Sequence, residues 1–336
     1  MYANLAAELL FSRIYVYALG NPAAKTFQRE HAVTSEPVVP TTHDTAHRDS
    51  FLSRARHWAL LRIVVHVVIL VAIMVATGIV SKVFLQPLPL PLRHSLLMVL
   101  NLSSAVALLV GYTLSVRLME RRGATEIGLR KGVPQLLLGA LLGVGLMGAV
   151  YLVLWSMGRV TFANGTGFDG LLGALVVMFA VGVLEELLFR AILFRIVEQI
   201  SGTTIAIILA AAAFGAIHAI NPGATLWSSA AIAIEAGVML ALAYVLTRNL
   251  WLAIGIHAGW NFAEGSIFGA QVSGSSEAHY VIKSSLSGPD ILTGGAFGPE
   301  ASVISVCVCA AFSAVLLVLV LRRGDWRKLS FQLRLA

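Results

Sequence analysis

The chain has 336 residues, of which 58% are hydrophobic and 12% charged, with a mean hydropathy of +0.84. Soluble domains carry about 25% charged residues, so a water-soluble globular protein is excluded and a polytopic helical membrane protein is indicated. The net charge of +7 does not point to nucleic acid, because the Lys and Arg residues stand at the ends of apolar runs, where they set topology.

Residues 1–57 come first and are mostly polar, with a mildly apolar start interrupted by Glu8 and Arg13. They read as a largely disordered cytoplasmic tail with a short amphipathic helix near 4–18. The tail histidines His31, His43 and His47 read as solvated residues. A transmembrane domain over 58–324 follows. Its apolar stretches lie at 62–84, 93–116, 133–156, 170–194, 203–220, 227–246, 250–268 and 301–321. The expected fold is therefore all-α, with about eight transmembrane helices.

Basic residues punctuate these stretches in a regular way. Arg54, Arg56 and Arg62 precede the first, and Arg117, Arg121, Arg122, Arg130 and Lys131 follow the second. Arg190 and Arg195 close the fourth, Arg248 precedes the seventh, and Arg322, Arg323, Arg327 and Lys328 follow the eighth. Eight spans put every cluster on one side, which the positive-inside rule makes the cytoplasm. Both termini are then cytoplasmic, residues 325–336 form a C-terminal tail, and the expected location is the cell (inner) membrane, multi-pass and in contact with lipid.

The connectors carry less information. The 269–300 connector leads into GGAFGPEAS, where Pro299 and Glu300 suit the first turn of the last helix, so Glu300 reads as a structural cap. Gly139 and Gly143 permit a close helix contact without fixing an oligomeric state. Cys307 and Cys309, two apart, point in different directions on a helix and read as packing residues. His66 and Asn101 read as packing or interhelical hydrogen bonds. Glu235 reads equally as a cavity residue or as the partner of a basic neighbour, and Glu264 as a residue near water at the outer end of its span.

Charge inside a span is costly, about 2.5–3.5 kcal/mol per residue on insertion scales, and usually faces an interior site. Glu185, Glu186 and Arg190 stand together in VGVLEELLFRAIL. Glu186 and Arg190 are four apart and can pair, while Glu185 points about 100° away and is left to face a cavity. An ion pair that only fixes helix packing is the competing reading of these residues. Later spans supply His218, in AAAFGAIHAINPG, and His257 with Asn261, four apart in LWLAIGIHAGWNF. Alone, each reads as well as a packed residue or an interhelical clamp. Together they form a set that activates water, either with a metal held by His and carboxylate or with a carboxylate base and an oxyanion site.

These segments resemble a known family. EELLFR (185–190), FGAIH (214–218) and HAGWN (257–261) are similar to the three motifs of the CPBP intramembrane proteases, which include type II CAAX prenyl endopeptidases and bacteriocin-processing or immunity (Abi) proteins. The motifs span about 77 residues, with a catalytic core at about 170–268. The resemblance implies an endopeptidase that hydrolyses a peptide bond in a membrane-associated peptide or lipidated protein and opens to the cytoplasmic side. It implies Glu185 as general base, His218 as a holder of the water, His257 and Asn261 as oxyanion donors, and Glu186 with Arg190 as support. A metal-dependent version would use Glu185, His218 and His257 as zinc ligands; a metal-free version needs no cofactor, and the choice stays open. The alternative function is a non-enzymatic immunity or peptide-binding protein that uses the same polar cavity.

Overall fold

Why the chain folds as it does starts with its helices, which are apolar on most faces, as segments in lipid must be. The computed structural model describes residues 42–328, with side chains from Trp58 to Lys328. The expected amphipathic helix near 4–18, His31 and residues 329–336 lie outside the described residues. The helix α1 (Thr42–Val80) begins within the stretch expected as a polar tail and runs on through a π-helical turn, Ser81–Leu85. Next come α2 (Leu90–Glu120), α3 (Gly132–Ser156) and the strand β1 (Val160–Asn164). A long helical segment follows: α4 (Leu171–Glu186), a π-helical stretch Leu187–Phe194, and α5 (Arg195–His218). Then α6 (Leu226–Ile232) passes through a π turn, Ala233–Val238, into α7 (Met239–Thr247), and α8 (Trp251–Phe262) ends in a π turn, Ala263–Ile267. The connector holds β2 (Gln271–Val272), β3 (Ser275–Ser276), β4 (Ile282–Leu286) and the short α9 (Asp290–Thr293) before α10 (Val303–Arg323).

Six helices among the described residues are long and apolar enough to cross a membrane, which makes the chain a multi-pass integral membrane protein. One of them, Leu171–His218, is 48 residues long and takes up two of the expected spans. It is broken at Gly202, whose φ of 79° and ψ of 173° leave the helix. Only glycine adopts that conformation readily. A Cβ there would also sit 3.0 Å from the carbonyl oxygens of Arg327 and Lys328.

The basic segments gather at one end of the bundle. Glu120 takes Arg62 at 2.9 Å and Arg195 at 2.7 Å, and Arg122 joins it at 2.7 Å. Glu198 takes Arg248 at 2.6 Å, and Asn249 donates to the Gly128 carbonyl at 2.9 Å. Tyr112 donates to Glu126 within the same network. His66 is part of it, with Nδ1 on the Arg62 carbonyl, while Asn101 bonds within its own helix to the Leu97 carbonyl.

The opposite end is covered by strands that the apolar pattern does not announce. β1 pairs antiparallel with β4, Val160 opposite Leu286 and Asn164 opposite Ile282, and Tyr151 stacks on Phe268 beneath them with ring centroids 3.9 Å apart. The connector is pinned to the α5–α6 turn: a Cβ on Gly274 would lie 1.9 Å from the Pro222 carbonyl oxygen.

At the centre stands α8, buried from Trp251 to Asn261 on every face, as a helix apolar all round must be. The Gly139/Gly143 pair of α3 is spent against it. A Cβ on Gly143 would come 2.2 Å from the Ile256 carbonyl oxygen, and one on Gly259 would come 2.3 Å from that of Ala140. Backbone meets backbone, so no side chain can give way. Gly143→Ala is expected to lower stability by about 1–3 kcal/mol. Gly145→Ala, where a Cβ meets nothing within 4 Å, is expected to change it by less than about 0.5 kcal/mol. Thermal melts of the two variants in one detergent check this.

Candidate active site

A cavity of about 310 Å³ lies among α4, α5, the α6–α7 segment, α8 and the connector. Glu185, His218, His257 and Asn261 line it, while Glu186 and Arg190 stand behind them. Three of the π-helical segments surround it: one follows Glu186, one carries Glu235, and one follows Asn261 by two residues. A π turn adds a residue to the helical repeat and re-aims the side chains around it, which is why such turns gather at functional sites.

Glu186 is the structural hub. Its Oε1 receives Arg190 Nη1 at 2.8 Å and faces His257 Nδ1 at 2.9 Å. Arg190, 1% exposed, also donates to the carbonyls of Ala236 at 2.8 Å and Gly237 at 3.3 Å, in the π turn of the neighbouring helix. Its guanidinium lies over the Phe214 ring, 4.7 Å from the centroid. Phe214 in turn packs against His218 and edge-on to His257. One ion pair therefore ties three helices to both imidazoles.

Glu185 has a different environment. Its Oε2 is buried and has no hydrogen-bond partner. It lies 3.7 Å from His257 Nε2 and 4.0 Å from His218 Nε2. The other nitrogen of each ring is engaged: His218 Nδ1 lies 2.7 Å from the Phe214 carbonyl, to which it donates, and His257 Nδ1 is on Glu186. Both Nε2 atoms therefore face the same carboxylate oxygen. Asn261 lies one turn beyond His257 on the cavity wall.

The depth of the site follows from Gly202. Glu185 stands seventeen residues before it and His218 sixteen after, roughly 25 Å from it along either helix. The two meet because the hairpin arms are equally long. The sequence expectation put the helix end near Phe194 and the opening toward the basic end. The helix instead continues to Gly202, so this pair sits toward the end of the bundle away from the basic network.

The connector brings further groups that the motifs do not name. Val272, Ser273, Ser275, Glu277 and Glu300 line the cavity, as do Glu235 and Cys309. Glu300 is not the cap of α10. Ser302 takes that place, accepting from the Ser305 N–H at 3.0 Å. Glu300 Oε1 accepts instead from the N–H and hydroxyl of Ser273 at 2.6 and 2.7 Å. Burial pushes its carboxyl up, against the opposing pull of Ser273 and of nearby His218. Glu264, expected near water, is fully buried and accepts from the Glu300 N–H at 3.0 Å. Both cysteines are free, Cys307 exposed and Cys309 buried.

Two imidazoles and a carboxylate are a usual donor set for hydrolytic zinc, and the engaged Nδ1 atoms suit such ligands. Among the described residues, however, no group of three or more His, Cys, Asp or Glu side chains converges to hold a metal ion.

Residues 167–263 match the family described as type II CAAX prenyl endopeptidase Rce1-like. The match includes all six motif residues and agrees with the resemblance that the three motifs carry. No curated protein matches the chain.

Proposed function

We propose, from the match of residues 167–263 to the Rce1-like type II CAAX prenyl endopeptidases, that the protein is an intramembrane endopeptidase. The observation that carries the reading is the partnerless Glu185 Oε2 facing two imidazole Nε2 atoms in one cavity. Separations of 3.7 and 4.0 Å are too long for direct hydrogen bonds and suit a water shared between the groups.

Neutral His218 donates from Nδ1 to the Phe214 carbonyl, so its Nε2 accepts a hydrogen bond from that water, whose second proton stays on the oxygen. Glu185 Oε2 takes the other proton as the water oxygen adds to the peptide carbonyl. The carbonyl electron pair becomes an oxyanion, held by Asn261 and by His257 Nε2–H. With Nδ1 donating to Glu186, that role of His257 requires the imidazolium. Collapse breaks the C–N bond, and Glu185 returns its proton to the leaving amine. A peptide in a membrane-associated or lipidated protein is the substrate class.

Eight crossings follow when the two arms of Leu171–His218 are counted separately and the Trp251–Ile267 segment crosses as well, since about 17 residues are enough. With the basic network in the cytoplasm, both termini are cytoplasmic and the site lies in the outer half of the membrane.

The test is cleavage of a fluorogenic peptide library, lipidated CAAX peptides included, by detergent-purified protein, with metal content measured on the same sample. Cleavage at sub-stoichiometric metal supports the carboxylate mechanism. Cleavage lost on chelation and restored by zinc overturns it in favour of metal hydrolysis, and no cleavage of any peptide overturns the protease reading.

A further inference from the structure

One wall of the cavity takes no part in the hydrolytic reading. Glu235 reaches it from the α6–α7 π turn, and Glu277 and Glu300 reach it from the connector. With Glu185, four carboxylates line the cavity and no Lys or Arg does. Glu235 is only 2% exposed, and its Oε2 has no hydrogen-bond partner. Glu264, behind the wall, also has a partnerless Oε2. A buried carboxylate oxygen left without a partner is costly, and native folds retain it for a reason.

Among the described residues no Lys or Arg lines this wall. Arg190, which reaches that π turn from the Leu187–Phe194 stretch, is committed to Glu186 and to the Ala236 and Gly237 carbonyls. Among the described residues no group of three or more His, Cys, Asp or Glu side chains is drawn together to hold a metal ion. Glu277 is half-buried, its side chain lying 2.6 Å from where a Cβ on Gly265 would be, and burial pushes its carboxyl up against the pull of His279. The wall is also held in place. Ser273 adopts a φ of 47° while giving both of its donors to Glu300, and Gly274 is fixed against Pro222. A ligand with positive charge would satisfy this wall, whereas a carboxylate or phosphate would meet like charge.

We propose that Glu235, Glu277 and Glu300 form a subsite for a basic side chain of the peptide that occupies the cavity. The proposal relies on the hydrolytic reading only in calling that peptide a substrate.

The experiment measures binding, so it does not depend on catalysis. Peptide pairs identical except for Lys or norleucine at one position, moved along the chain, are titrated into full-length Glu185→Gln protein in detergent by fluorescence anisotropy. At one position the Lys peptide is expected to bind at least about tenfold more tightly. Adding Glu235→Gln should bring that ratio to within about twofold, and adding Glu277→Lys should turn the preference toward a Glu peptide. If Glu235→Gln does not fold, the Glu277→Lys reversal on the half-buried connector decides. Equal binding of Lys and norleucine peptides at every position overturns the proposal, as does binding of neither or a preference that survives both variants. Failure of the hydrolytic reading appears separately, as wild-type protein that binds these peptides and cuts none.

Discussion

Glu185→Gln is expected to lower kcat by about 10²–10⁴-fold, the range a positioned general base contributes. Gln has the same shape, and the replaced oxygen makes no hydrogen bond within the protein. Folding should therefore be unaffected, with a melting temperature within error of wild type. Gln cannot take the proton that water releases, and its amide group would present either a donor or a non-basic oxygen to His218 and His257, 4.0 and 3.7 Å away. The comparison is kcat on one library peptide alongside a thermal melt. An active Glu185→Gln enzyme would remove this residue from the role of base, whatever else the cavity does.

Glu186→Ala should behave in the opposite way, failing first in stability. It leaves Arg190, 1% exposed, without its carboxylate and deprives His257 Nδ1 of its partner. Breaking a buried pair from one side costs about 3–5 kcal/mol. The protein should melt well below wild type or be lost during purification. Replacing both members, Glu186→Leu with Arg190→Met, should recover much of that stability, because an apolar pair removes the uncompensated charge. Activity should not return with it, since His257 still lacks the group that orients it. A double variant that regains full activity would show that the pair serves packing alone.

Much of this site is legible in the sequence because helical spacing is a local property. The four-residue intervals of Glu186–Arg190, Phe214–His218 and His257–Asn261 put each pair on a shared face without knowledge of the rest of the fold. The helix count and the depth of the site are less legible. Whether Gly202 is a loop or the hinge of one long helical segment depends on the Arg327–Lys328 backbone packed against it. The π turns depend on contacts such as Arg190 with the Ala236 and Gly237 carbonyls, which join residues far apart in the chain. The acidic wall is least legible. Glu277 and Glu300 sit in a Gly-rich connector with no periodicity, and contacts between distant residues, among them the pairing of β1 with β4 and the Gly274–Pro222 contact, bring that connector back onto the cavity.

The Gly202 hinge also has a consequence for assembly. Glu185 and His218 belong to a single helical hairpin, so their meeting is a local event of the kind that forms quickly. His257 reaches Glu186 across 71 residues and arrives only when α8 slides its glycines against those of α3. The half of the site that would hold water can therefore exist in the nascent chain before the half that would hold the oxyanion. A molecule that has not yet seated its central helix would carry every motif residue without its oxyanion donors in place, so in this chain activity could not precede the docking of α8.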